Sequence, residues 1–303
     1  MGALASWVVL AMALGQSSAP YVRSRVSPGD ESTQCLYWTQ SRVVWQQSTV
    51  GNQRMTNHTE FKAISDSFQS WQTLFASCGN LTLEEGPRVS SRKVGYERTG
   101  TNINLMLFRS RSCREVVDPG DACNTLDTCA NTYDCWDDSN GTIAITLTTY
   151  DERTGVVYDS DISFNAAQFN FTTGNGGPCG IVATPDCVET DVQNTATHEV
   201  GHFVGLDHTL ATGSTMNPSA PPGETEKRSI DPGSKDFVCA AYPKGSASKP
   251  CIPLPDTGNG DGDGDGDGDG DGDGCAAASG GLAVLPLLAA ASLFARRRRR
   301  GGR

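Results

Sequence analysis

Three of the chain's four histidines fall inside one eleven-residue string, His198-Glu199-Val200-Gly201-His202-Phe203-Val204-Gly205-Leu206-Asp207-His208. On an α-helix, residues four apart share a face. His198 and His202 can therefore aim their imidazoles at one ion, and zinc accepts such nitrogens at about 2.0–2.1 Å. Gly205 can adopt a backbone conformation closed to other residues, which lets the chain leave the helix sharply and bring His208 round as a third ligand. Glu199 projects from nearly the same face and is better placed beside a metal-bound water than on the metal. Three protein ligands leave a fourth zinc position open for water, which hydrolysis requires. The alternative, a surface helix with incidental histidines, does not account for Gly205 and His208 at fixed offsets.

Around this string the pattern alternates between sheet and helix. A first strand is expected over Leu36–Trp45, rich in β-branched and aromatic residues. Phe61, Ile64, Phe68, Trp71 and Phe75 recur at spacings of three and four, which draws the apolar stripe of one helix ending at Gly79. Ile103–Phe108 alternates apolar and polar residues like a half-buried strand. Ile143, Ile145 and Leu147 repeat that pattern, and Val156–Phe164 reads as a further strand. A helix carries His198, and a last helix near Ser234–Ala241 ends before Pro243. Strand, helix, several strands, helix, helix is an α+β layout with a mixed sheet rather than regular βαβ alternation.

The chain's cysteines and termini point to export. Ten of the eleven cysteines lie between Cys35 and Cys251 and can pair completely, in a connectivity that one sequence leaves open. Cys113–Cys135 contains four of them and reads as a long stapled loop, with a zinc cluster as the competing idea. Cys179–Cys187 reads as a second, small loop. Residues Ala3–Leu14 are nearly all apolar, too few to span a bilayer, and precede Ser17, Ser18 and Ala19, so residues 1–19 are expected to be a signal peptide. The net charge of −11 argues against a general nucleic-acid or anionic-membrane surface.

The histidine string resembles the metzincin metallopeptidases, whose pattern His-Glu-x-x-His-x-x-Gly-x-x-His is followed by a methionine turn. Met216, in Ser214-Thr215-Met216-Asn217-Pro218, fits that turn, and its position eight residues after His208 is similar to the matrixin branch, as are Gly201 and Leu206. The resemblance covers about residues 33 to 245. It implies a metzincin-like α+β fold: a twisted mixed sheet with a first long helix, an active-site helix and a C-terminal helix. It implies a zinc-dependent endopeptidase acting on protein or peptide substrates, with one catalytic zinc on His198, His202 and His208, Glu199 as general base and Met216 as an apolar floor that does not ligate. Gly141–Thr148 resembles the edge strand along the cleft, where a peptide would add as an extra strand. Ile143, Ala144, Ile145, Asn217 and Pro218 are then the expected substrate-binding residues. A monomeric catalytic domain is expected.

Departures from the family pattern matter too. Ser163 stands where a structural-zinc histidine would be expected, and His58 is the only spare histidine, so the disulfides of Cys113–Cys135 are expected to brace that loop instead. Calcium stays open as a further ion. Cys35 lacks the flanking residues of a propeptide cysteine switch, and Asn217 replaces the tyrosine that follows the methionine in many relatives. A non-catalytic, zinc-containing surface binding module is the competing function, against which Glu199 speaks, because a structural site has no need of a base.

Beyond residue 245 the sequence becomes simple. Residues 246–274 read as a flexible linker whose Asp-Gly repeat combines backbone freedom with charge repulsion. The repeat lacks the varied ligand spacing of a folded calcium loop. Residues 275–303 place Cys275, an apolar stretch Gly280–Ala295 expected to be helical, and the cluster Arg296–Arg300 in series. This resembles the C-terminal sorting tails of myxobacterial surface proteins and implies membrane contact through the tail, removal of the helix near Cys275 and lipid attachment there. A permanent anchor is the alternative. The protein is expected to be exported, extracellular or at the outer cell surface, anchored through the C-terminal tail.

Overall fold

The computed structural model describes residues 19–182 and 184–254, together with the backbone of Val284–Leu287. In chain order the elements are β1 (Val22–Arg23), β2 (Arg42–Gln47), α1 (Thr59–Cys78), β3 (Thr82–Glu85), β4 (Asn104–Arg109), α2 (Cys113–Val116), α3 (Cys123–Leu126), α4 (Cys129–Tyr133), β5 (Ala144–Tyr150), β6 (Val157–Asn165), β7 (Phe171–Thr172), β8 (Thr190–Asp191), α5 (Val192–Phe203), β9 (Leu206–Asp207), α6 (Pro232–Ala241) and β10 (Val284–Leu287). The central sheet runs β3-β2-β4-β6-β5, with β10 beyond β5. β2, β3, β4 and β6 are mutually parallel, and β5 lies antiparallel to β6. This is the mixed α+β architecture expected from the sequence, and it is consistent with a metzincin fold.

The apolar stripe of α1 does what its spacing predicts. Phe61, Ile64, Phe68, Trp71 and Phe75 are all buried. Phe68 stacks on Trp45 of β2 at 3.8 Å between ring centroids and meets Phe203 of α5 edge-on at 5.5 Å. Trp71 donates its indole N–H to the Thr197 carbonyl at 2.9 Å. The helix thus bridges sheet and α5 through rings that each bury large apolar area. Gly79 closes it, because a Cβ there would overlap the Phe75 ring.

Several expectations need correction. The segment before Arg42 makes an isolated parallel bridge, Tyr37 to Val156, and no continuous ladder. Trp38 is buried, donating its indole N–H to Phe203 O at 2.8 Å and its backbone N–H to the Tyr242 hydroxyl at 3.1 Å. Its aromatic richness marks burial against the helices rather than strand pairing. β4 is buried along Leu105–Arg109 and not half-buried, because it is a central strand and Arg109 is covered by the stapled loop through Asp134 at 2.6 Å and Asn131 at 3.2 Å. In β5 the apolar residues Ile145 and Leu147 take the half-exposed positions, while Ala144, Thr146 and Thr148 are the buried ones.

The packed body also outruns residues 33–245 at both ends. β1 pairs antiparallel with β9. Lys249 N–H donates to Ala241 O at 2.7 Å, and Cys251 is bonded to Cys35. The other disulfides are Cys78–Cys239, Cys113–Cys135, Cys123–Cys129 and Cys179–Cys187, so the ten cysteines pair completely. The first two close long loops, the case in which a crosslink most restricts the unfolded chain, by about 2–5 kcal/mol each. Within the stapled loop, α2, α3 and α4 are single turns carried on two of these bonds.

Of the expected apolar helix Gly280–Ala295, residues Val284–Leu287 run as a strand antiparallel to Thr146–Thr149 of β5. The outer edge of β5 offers unpaired backbone groups to such a partner. Residues 1–18 of the expected signal peptide 1–19, the Asp-Gly repeat, Cys275 and the arginine cluster lie outside the described residues. Among the described residues, no helix is long and apolar enough to cross a membrane.

Candidate active site

The helix that carries the motif is fixed at its start. Asp191 caps α5 by accepting the Asn194 N–H at 2.7 Å, the usual way of satisfying an orphan donor at a helix N-terminus. Arg228 holds that carboxylate in turn, with Nε 2.8 Å from Oδ1. One turn further on, His198 and His202 share the inner face.

The helix ends where the motif requires. Gly205 has φ +100°, and a Cβ on it would lie 2.5 Å from the Leu36 carbonyl oxygen. A side chain is excluded there on both counts. The chain then reverses through β9 and delivers His208.

The three imidazoles converge. His198 Nε2 and His208 Nε2 are 3.2 Å apart, and His202 Nε2 and His208 Nε2 are 3.1 Å apart. His198 Nδ1 donates to Thr215 O at 2.7 Å and His202 Nδ1 donates to Leu206 O at 2.8 Å. A carbonyl only accepts, so the ring proton sits on Nδ1 and each Nε2 turns a lone pair inward. Burial, then the neighbouring His202, His208 and Lys227, hold His198 well below the usual histidine range. Burial, followed by His202 and Lys227, lowers His208 to about 3. Neutral rings with facing lone pairs lack a proton to share, so the cluster calls for a cation. Tetrahedral zinc with nitrogens at about 2.0–2.1 Å would set them about 3.3–3.4 Å apart, so the donor set fits that ion.

Glu199 lies beside this cluster, 2 % exposed. Thr146 of β5 donates its hydroxyl to Glu199 Oε2 at 2.7 Å and reaches the Glu199 carbonyl at 3.1 Å. Burial raises the carboxyl's pKa, and His202 and the Thr146 hydroxyl oppose that rise.

Met216 is fully buried, and a Cβ on Gly201 would overlap its sulfur, so the glycine admits the methionine beneath the helix. The turn is pinned on both sides. Thr209 N–H donates to Met216 O at 3.1 Å, Thr215 N–H donates to Asp231 Oδ2 at 2.9 Å, and Asp231 N–H donates to Thr215 Oγ1 at 3.0 Å. Asp231 also caps α6, so one carboxylate ties the last helix to the carbonyl that orients His198.

A narrow cavity opens next to Glu199, lined by Ile143, Ala144, Asn194, Thr195, His198, Asn217, Pro218, Ala220 and Lys227. Four of the five residues expected to bind substrate are there. Ile145 is not among them; it is half-exposed between the buried Ala144 and Thr146. Sequence reasoning missed Thr146, Asp191, Arg228, Asp231 and Lys227. Two of these carried a signal: Asp191 precedes the motif helix as a capping residue would, and Thr146 and Thr148 share one face of a strand.

A mixed sheet backed by two packed helices, with three inward imidazoles beside a buried glutamate, is an arrangement that suits a zinc metallopeptidase. The Matrixin family model matches residues 129–241, which include β5, β6, all three histidines and Met216. That match supports a matrixin-type metallopeptidase. No curated protein matches the chain.

Proposed function

We propose that this chain is a zinc-dependent endopeptidase that hydrolyses protein substrates outside the cytoplasm, tethered to the cell surface through its C-terminal tail. The convergence of three imidazole Nε2 atoms, 3.1–3.2 Å from one another along the two contacts of His208, carries this reading. In it, His198, His202 and His208 hold the zinc, which when bound acidifies a water and polarises a carbonyl. Glu199 takes the proton of the attacking water on the oxygen that Thr146 leaves open, and returns it to the departing amine. Its raised proton affinity suits a base that works near neutrality. Thr215 O and Leu206 O keep His198 and His202 in the ligating tautomer. The substrate strand adds to β5 at Ala144 and Ile145, beyond the Thr146–Thr149 stretch that β10 pairs, and Ile143, Ala144, Asn217 and Pro218 flank the scissile bond.

Cleavage of casein by the purified protein is expected to stop with a zinc chelator and return with added zinc. Glu199→Ala is expected to keep the metal and lose turnover; a variant that cuts casein as fast as the wild type defeats the assignment. For the tail, mass spectrometry of the mature protein is expected to show an end near Cys275, and an intact Arg303 would rule out sorting cleavage.

A further inference from the structure

The cavity beside Glu199 contains a cation that the proposed reaction does not use. Lys227 is 5 % exposed and lines that cavity, whose remaining wall includes Ile143, Ala144, Pro218 and Ala220. Lysine is rarely buried without a purpose or a partner. Its ammonium donates to Ser219 O at 2.7 Å and to Glu224 Oε1. An ammonium has three donors, so one N–H stays free of these two partners. Glu224 Oε2, for its part, is buried with no partner. The Lys227 backbone is fixed to the active-site helix, with N–H donating to Asn194 Oδ1 at 2.8 Å.

The space is small. The cavity holds about 30 Å³. An aliphatic or aromatic side chain seated there leaves the spare Lys227 N–H desolvated and unpaired, which is costly. A short side chain ending in an acceptor can meet it.

We infer that Lys227 is a specificity-determining residue, and that the subsite it closes selects substrates with aspartate or asparagine next to the scissile bond. This rests on the endopeptidase reading above and narrows its substrate class.

The test uses the purified protein and peptides identical except for Asp, Asn, Ala, Leu or Phe at one of the two positions flanking the cut. The wild type is expected to show kcat/KM about tenfold higher for Asp and Asn than for Leu and Phe, the scale of one hydrogen bond to a charged group. The same order is expected in Kd for these peptides on the non-turning Glu199→Gln variant. Glu224→Gln leaves the ammonium without its counter-charge, so the ratio of Asp to Asn should rise. Lys227→Met combined with Glu224→Gln should level the series. Faster cleavage of the Leu or Phe peptide by the wild type, or an Asp-to-Asn ratio unmoved by Glu224→Gln, overturns the inference while leaving the endopeptidase standing. If neither casein nor any peptide is cut, the endopeptidase reading fails and this one with it.

Discussion

Glu199 and the Asp159–Asp161 pair are all buried carboxylates, and the two places differ in what surrounds them. Glu199 sits against imidazole nitrogens and takes a hydroxyl from Thr146. Asp159, on β6, is 1 % exposed and leaves Oδ2 without a partner, while its neighbour Asp161 accepts the N–H groups of Gly95 and Leu105. Burial raises Asp159 to about 6, and raises Asp161 and Glu199 as well. A displaced pKa is therefore common to both regions. Only one has lone pairs converging on a point beside the acid. That convergence, rather than the titration, distinguishes a reaction centre from a costly buried charge.

The comparison is broken most severely by removing a lone pair. His202→Ala is expected to lose bound zinc and all measurable cleavage, read by metal analysis and casein turnover. No substitution at Asp159 should do either. Thr146→Val comes next. It keeps the side chain's shape, removes the hydroxyl from Glu199 and should lower kcat by about tenfold, the scale of one hydrogen bond to an ion, with zinc content unchanged.

pH separates the two acids further. Glu199 must be ionised to act as a base, so activity should fall as pH drops through its raised pKa. The acid limb of kcat is expected above the ordinary glutamate value of about 4.3. Asp159 acts on stability with the opposite sense. Its folded-state pKa lies above its unfolded value, so the native state binds more protons between them and stability falls as pH rises from about 4 to about 6. Asp159→Asn removes its own share of that penalty and should raise stability at pH 7.5, the smallest of these effects because Asp161 stays buried with a raised pKa. Thermal unfolding at several pH values checks it: the wild type should lose more stability over that interval than the variant.

The motif was legible because its chemistry is local. His198, Glu199, His202, Gly205 and His208 lie within one helix and one turn, so their spacing alone fixes their geometry. The stripe on α1 was legible for the same reason. What stayed hidden depends on pieces far apart in sequence. Thr146 meets Glu199 across 53 residues, and Arg228 meets Asp191 across 37. The β5 alternation was visible, but which face turns inward depends on α5 lying over the sheet, so Thr146 was not singled out as the residue that meets Glu199. Trp38 misled for a related reason: an aromatic that caps a helix–sheet junction has the composition of a strand residue. The cysteines marked the stapled loop without giving its pairing, since which sulfurs meet is a property of the folded loop.

X-ray absorption at the zinc edge of the purified protein tests the central claim most directly. One zinc per chain is predicted, with a shell of nitrogen and oxygen at about 2.0–2.1 Å, the multiple-scattering signature of imidazole, and loss of that shell in His198→Ala. Absence of zinc, or a shell containing sulfur, would contradict the account.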